Sequence, residues 1–264
     1  MKKFLAILLV VAMLLTFAAC GAKKDENKLV MATNAAFPPY EYIEGGKVVG
    51  IDAEIAAKIA EKLGMELEIK DVDFDTIIAG VQTGKYDIGM AGLTVTDERK
   101  EKVNFSTSYA KGIQSVIVKE DSPYTSYEDF YTGFNEEGDP TGVKEGIKIG
   151  VQQTTTGDIY ASDDPENWGF GDANVTRYKT GNDAVAALKA GMLTAVIIDN
   201  EPAKSFVAAN EGLKILEGAY ADEDYAIAVG KEDTELLEKI NKALADLKAE
   251  GELDKIVTKY IPAK

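Results

Sequence analysis

Three places along the chain carry residue types that could together hold a small zwitterion. The first is Thr96-Asp97-Glu98-Arg99, which follows a short apolar strand signal from Tyr86 to Met90. A threonine three residues ahead of an arginine can cap a helix and leave the guanidinium in its first turn. The backbone N–H groups there have no partner inside the helix. A guanidinium so placed can make two parallel charge-assisted bonds to one carboxylate. The same spacing also serves an ordinary solvated helix start. The second place is Asp199, at the end of the apolar run Thr194 to Ile198. Its carboxylate could accept from an ammonium, or could simply cap the helix that Pro202 enters. The third is Gln152 to Gly157, a strand-to-helix turn whose N–H groups suit an anion. A cation on one wall and an anion on the other would fit an amino acid.

Composition narrows the chemistry. The 264 residues contain no histidine, which removes Ser-His-Asp and Cys-His nucleophiles, histidine bases and most zinc sites. Cys20 is the sole cysteine, so no disulfide can form within the chain. The formal charge of −16 argues against nucleic-acid binding, which needs clustered Lys and Arg. Acidic stretches such as Asp163-Asp164 through Asp172 lack calcium-loop spacing, and neither a metal nor a cofactor is expected.

The elements that must position these residues can be read from the periodicity. Lys28 to Thr33 is a strand, followed by the interrupted stretch Phe37-Pro38-Pro39-Tyr40, a Gly45-Gly46 turn and a returning strand from Val48 to Ile51. Asp52 is expected to cap a helix with Ile55, Ala56, Ile59, Ala60 and Leu63 on one face. Glu66 to Val72 alternates like a strand, and Asp75 is expected to cap a second helix carrying Ile77, Ile78 and Val81. After the apolar stretch Ile113 to Val118, a second unit has strands at Ile147 to Val151 and Thr194 to Ile198. Between them lies a helix that Asn182 is expected to cap. Tyr131 to Gly146 and Ser162 to Asp172 read as surface insertions. Two amphipathic helices follow, one with Leu236, Leu237, Ile240, Leu244 and Leu247, the other with Leu253, Ile256, Val257 and Tyr260. The pattern of helix, glycine stop and short strand occurs at 79–90 and again at 187–198, which suggests two similar units. Alternating strands and helices define an α/β class with a largely parallel sheet, in which ligands bind beyond the carboxyl ends of strands.

Residues 32–41 (ATNAAFPPYE), 73–99 (DFDTIIAGVQTGKYDIGMAGLTVTDER) and 150–157 (GVQQTTTG) resemble bacterial family 3 solute-binding proteins, the polar amino-acid receptors of ABC importers. The resemblance runs from about Leu29 to Tyr260. It implies a two-lobed, periplasmic-binding-protein-like type II fold with a two-strand hinge. Lobe 1 would comprise 29–113 plus 225–264, and lobe 2 would comprise 114–224. By the same resemblance Arg99, Thr94 and the Thr156 backbone would hold an α-carboxylate, and Asp199, Thr94 and the Gly92 carbonyl an α-ammonium. Phe37 and Phe74 would sandwich the side chain, with Asn34, Glu41, Ala91 and Gln152 at its far end. The family commonly has Asp where Asn34 stands and Gly where Thr154 stands. The first departure weakens the case for a cationic ligand, and the second bears on the geometry of the loop. Arginine, lysine and glutamine are the expected ligands, and the expected partners are an ABC permease and its ATPase. The rival readings are an enzyme on this fold (a cyclohexadienyl or arogenate dehydratase, with Glu41 as general acid) and a ligand-sensing module; the expectation is not an enzyme.

The N-terminus reads as an export signal. Lys2 and Lys3 precede an apolar run from Phe4 to Phe17, then Ala18, Ala19 and Cys20. That run is short for a membrane span. Cys20 stands where a lipobox places its acylated cysteine, although Phe17 occupies the usual leucine position. Residues 1–20 would be a lipoprotein signal, 21–28 a tether, and the protein an extracytoplasmic, lipid-anchored monomer.

Overall fold

The computed structural model describes residues 25 and 27–262, and the expected export signal and Cys20 lie outside them. The chain builds two α/β halves, each around its own sheet. The first half opens with β1 (Lys28–Thr33), a small antiparallel sheet of β2 (Ala36–Phe37), β3 (Glu41–Glu44) and β4 (Lys47–Val49), helix α1 (Ile51–Leu63) and β5 (Glu66–Asp71). It continues through α2 (Ile77–Gln82), β6 (Ile88–Gly89), α3 (Asp97–Lys102) and β7 (Val103–Phe105). The chain then runs along β8 (Ala110–Lys119) into the second half. There β9 (Tyr131–Phe134) and β10 (Pro140–Val143) pair as a hairpin, ahead of β11 (Ile149–Gln152), α4 (Thr156–Ser162) and β12 (Val175–Tyr178). Next come α5 (Gly181–Lys189), β13 (Ala195–Asp199), α6 (Asn200–Ala209) and β14 (Leu213–Ile215). Strand β15 (Ala221–Tyr225) returns the chain to the first half, which β16 (Ala228–Gly230), α7 (Thr234–Ala249) and α8 (Glu252–Tyr260) complete.

The first sheet has the order β5-β1-β6-β16-β7, parallel from β5 to β6 and antiparallel at β16. The second has β12-β11-β13-β8-β14. It is parallel among β12, β11 and β13 and antiparallel at β8. Strand β15 pairs antiparallel with the first residues of β8, so two adjacent strands carry both crossings between the halves. Buried strands covered by helices on both faces read as apolar runs. Every residue of β13 is buried, and Leu29, Met31 and Ala32 of β1 are fully enclosed. Helix α1 packs Ile51, Ile55 and Ile59 inward at one-turn spacing, and α7 adds Ile240, Leu244 and Leu247.

Several local expectations are corrected. Gly50, not Asp52, precedes α1; Asp52 lies buried in its first turn. Asp75 falls in a 3₁₀ turn, Phe74–Thr76, because the Thr76 hydroxyl donates to the Asp73 carbonyl and tightens the chain before α2 begins. Thr180, not Asn182, caps α5, its Oγ1 accepting from the Asp183 N–H at 3.2 Å. The two presumed insertions are not mere surface. They supply Tyr131 and Phe170, both buried and stacked at 5.2 Å, to an aromatic cluster that includes the buried Phe130 just ahead of the first stretch. The hydroxyls of Tyr131 and Tyr220 both donate to the Trp168 carbonyl, at 2.6 and 2.7 Å. Aromatics scattered through polar sequence carry no periodic signature, although each buries a large apolar area.

Candidate functional site

The carboxyl ends of the parallel strands in both halves face one narrow cavity between them. Asn34, Phe37, Glu41, Phe74, Ala91, Gly92, Thr94, Arg99, Gln152, Thr156 and Asp199 all line it, so the structure brings together every cleft residue expected from the sequence. Thr155 joins them unanticipated. A larger open groove runs past Lys62, Lys242 and Asp246. Its charges pair along the surface, Lys62 with Glu250 and Lys242 with Asp246, and do not converge on an enclosed space.

Arg99 is set by its helix start. The Thr96 hydroxyl accepts from the Arg99 N–H at 3.2 Å, capping α3 and directing the side chain inward. The guanidinium donates through Nη1 to the Thr94 carbonyl at 2.8 Å and through Nη2 to the Thr154 carbonyl, in the other half, at 3.0 Å. The Phe74 ring lies 5.5 Å from its central carbon. Two of its five donors are thereby used. The side chain is buried, and no carboxylate stands within ion-pair distance among the described residues. Burial lowers its pKa, an effect partly offset by the charges of Glu223 and Asp199.

Asp199 forms the opposite wall. It ends β13 and is buried, and the Tyr225 hydroxyl donates to its Oδ1. Burial, and next the charge of Glu223, push its carboxyl well above the usual range; a nearby cation would relieve both effects. Glu223 is a buried acid bonded to the cleft residue Thr94 that the sequence reading missed. From β15 its Oε2 accepts from the Thr94 hydroxyl and the Gln114 amide, both at 3.0 Å. Thr94 in turn reaches the Thr156 hydroxyl at 3.4 Å. The crossing strands therefore place polar side chains behind Thr94 and Thr156, which line the cleft. The available signal was strand alternation, which turns only the middle residue of Asp222-Glu223-Asp224 inward.

At the far end the Gln152 amide donates to Asn34 Oδ1 at 2.9 Å, and the Asn34 amide donates to the Val72 carbonyl at 2.8 Å. Gly92 has φ 51°, and a Cβ there would stand 2.7 Å from Phe37 Cε1, so the close fit of this ring requires glycine. Glu41 is fully buried, with no N–H or O–H donor on either oxygen. Bonds from Arg99 to Thr154, Gln152 to Asn34 and Gln153 to Asp75 span the two halves, and an ion pair joins Lys179 to Asp73. The halves are closed on one another.

A cleft between two α/β halves, joined by two strands and lined by an arginine and an acid, defines the type II periplasmic receptors; solved structures of amino-acid-binding proteins share the fold. The chain belongs to the bacterial extracellular solute-binding proteins, family 3, which it matches over residues 29–263. It is 33% identical to the arginine-binding extracellular protein ArtP of Bacillus subtilis (strain 168), with 98% of each chain covered. The arginine-, lysine-, histidine-binding protein ArtJ of Geobacillus stearothermophilus superposes with a TM-score of 0.79 at 30% identity, covering 90% of this chain and 96% of that one. An ancestral arginine-binding protein bound to glutamine gives 0.78 at 37% identity, covering 90% and 99%. The protein is an amino-acid-binding receptor of the ABC-transport class, whose members work outside the cytoplasm; its relatives are transport receptors and not enzymes.

Proposed function

We propose that this receptor takes a polar or basic L-amino acid, with arginine, lysine and glutamine favoured, and presents it to an ABC permease with its ATPase. The supporting observation is Arg99, a buried cation without a carboxylate partner, facing a cavity whose other wall carries the buried acid Asp199. Removing one partner of a buried pair costs about 3–5 kcal/mol, so a ligand supplying both missing charges is strongly favoured over one supplying neither. The α-carboxylate would meet Arg99, Thr94 and the Thr156 N–H. The α-ammonium would meet Asp199, Thr94 and the Gly92 carbonyl. Phe37 and Phe74 would flank the side chain, and Asn34, Gln152 and Glu41 would meet its polar end. ArtP and ArtJ, by their names, favour a basic ligand, and the ancestral receptor bound to glutamine favours an amide.

In this reading 29–113 with 225–264 forms lobe 1, 114–224 forms lobe 2, and β8 with β15 forms the hinge. Arg99 captures the ligand first; Asp199 and Thr156 then hold the closed state. The Cys20 motif supports a lipid anchor, the receptor is read as a monomer, and Cys20→Ser should move the protein from membranes to the soluble extracytoplasmic fraction. A thermal-shift panel of the twenty amino acids tests the ligand. At 100 times its dissociation constant a ligand that binds only the native state adds about 2.7 kcal/mol. Arginine, lysine or glutamine should give the largest rise, and a best response from leucine or phenylalanine would overturn the preference.

A further inference from the structure

The geometry points to a proton held between Glu41 and Asp52 at the floor of the empty cleft, which a cationic ligand side chain displaces to solvent. This rests on the reading of the cleft as a polar amino-acid site and concerns how that site treats the ligand's distal end. Glu41, at the start of β3, and Asp52, in the first turn of α1, are both fully buried. Asp52 Oδ2 accepts from the Gly92 N–H and the Tyr109 hydroxyl, each at 2.9 Å. Its Oδ1 and both oxygens of Glu41 meet no protein donor. They are brought together by the backbone: the Asp52 N–H donates to the Tyr40 carbonyl at 2.9 Å, which sets the first turn of α1 against the start of β3, and each carboxyl acts on the other. Acceptors that face one another in a buried space need a hydrogen between them.

The surroundings offer nothing else to neutralise a second negative charge. The charges acting on Glu41 are those of Asp52 and, farther off, Asp199. The other titratable neighbours, Tyr40 and Tyr109, are phenols that burial keeps neutral. Burial first and Asp52 second push Glu41 well above the usual carboxyl range. Burial pushes Asp52 up to about 6, against the pull of the Gly92 N–H and the Tyr109 hydroxyl. The proton therefore resides on Glu41, which donates to Asp52.

Glu41 also lines the cavity beside Phe37 and Asn34. When a guanidinium or ammonium reaches it, the Glu41 O–H bond breaks, its electron pair stays on the carboxylate, and the proton passes to the buffer. The distal site holds one net negative charge before binding and the same after it, since two carboxylates then surround one cation. A neutral amide leaves the proton in place, and the protonated Glu41 can donate to the amide oxygen. One cavity thus accommodates charged and neutral side chains without burying an unbalanced charge.

Isothermal titration of the intact protein with arginine and with citrulline, its neutral isostere, tests this in buffers of different ionisation enthalpy at pH 7. The dependence of the observed heat on buffer enthalpy counts the protons released. Asp199 faces the α-ammonium that both ligands share, so its protons appear equally in both titrations. Arginine should release about one proton more than citrulline, and Glu41→Gln should remove that excess. Raising the pH by one unit above the Asp52 titration near 6 should improve arginine affinity relative to citrulline by up to about tenfold. Equal proton release for the two bound ligands would refute the exchange while leaving the cleft assignment intact. No binding of any amino acid would overturn the cleft assignment itself and the exchange with it. The wild-type comparison stands even if Glu41→Gln fails to fold.

Discussion

Replacing Arg99 by methionine should separate binding from folding. The methionine fills much of the space against Phe74 but carries no charge. In the empty receptor the change removes two hydrogen bonds to carbonyls, at Thr94 and Thr154. Charge-assisted bonds of this kind are each worth about 1.5–3 kcal/mol. It also removes the desolvation penalty of a buried cation without a carboxylate partner, several kcal/mol in the opposite direction. These effects largely cancel, and the melting temperature of the empty protein should move by only a few degrees. With ligand present there is no such cancellation. The α-carboxylate loses its fixed partner and becomes the buried charge left unpaired, at about 3–5 kcal/mol, or about 10²- to 10⁴-fold in affinity. Isothermal titration alongside thermal unfolding measures both quantities on one preparation. A methionine variant that binds its best amino acid within tenfold of wild type would refute the assignment of Arg99 as the carboxylate partner. So would a large loss of empty-state stability that accounts for the whole binding defect.

Asp199→Asn should weaken amino-acid binding by about 2–5 kcal/mol in the same titration, by removing the acid that meets the ammonium. At pH 8 the same change should raise the melting temperature of the empty receptor, because it removes a carboxyl that is uncomfortable when ionised. Wild-type stability should fall as pH rises. Asp52 and Asp199 hold their protons more tightly folded than unfolded, so their contribution is full below about pH 4 and is lost through about 6 for Asp52 and about 8 for Asp199. The surface carboxylates lowered by lysine partners, such as Glu68 and Glu98, act in the opposite sense, their contribution being lost only as pH falls through the acid range. Thermal unfolding from pH 5 to 8, with and without saturating ligand, should show the decline shrink when an ammonium neutralises Asp199. Thr154→Gly should stabilise the protein. Thr154 has φ 61°, and only its backbone makes hydrogen bonds, to Asp158 and Arg99. Relief of about 1–2 kcal/mol of left-handed strain exceeds the glycine entropy cost of about 0.5–1 kcal/mol, and denaturant unfolding should register the difference.

What could be read in advance was local or motif-borne. Thr96 and Arg99 lie three residues apart, and one hydroxyl-to-amide bond fixes the pair, so spacing sufficed. Asp199 was marked by the apolar strand that it ends. Asp52 misled because an acid at a helix start has a local role available. Its actual partners, the Gly92 amide and the Tyr109 hydroxyl, are 40 and 57 residues away and exist only once the sheet has formed. Thr180 and Asn182 are both good caps two residues apart, and propensity does not choose between them. Glu223 sat in an acidic run that looks solvated until β15 pairs with β8 and turns it toward Gln114. The aromatic cluster of the second half was hidden for the same reason, since its contacts join Tyr131, Trp168, Phe170 and Tyr220 across long separations in sequence.

The position of β16 governs the order in which the protein can be assembled. It lies between β6 and β7, yet it is made after every strand of the second half. A growing chain can build the β12-β11-β13-β8-β14 sheet from one contiguous stretch, whereas the other sheet must wait with a gap between β6 and β7. Such distant pairing slows folding and leaves strand edges open meanwhile. Loss of residues beyond 225 would leave β6 and β7 without the strand that joins them, while the second half would still have all its own strands to pair.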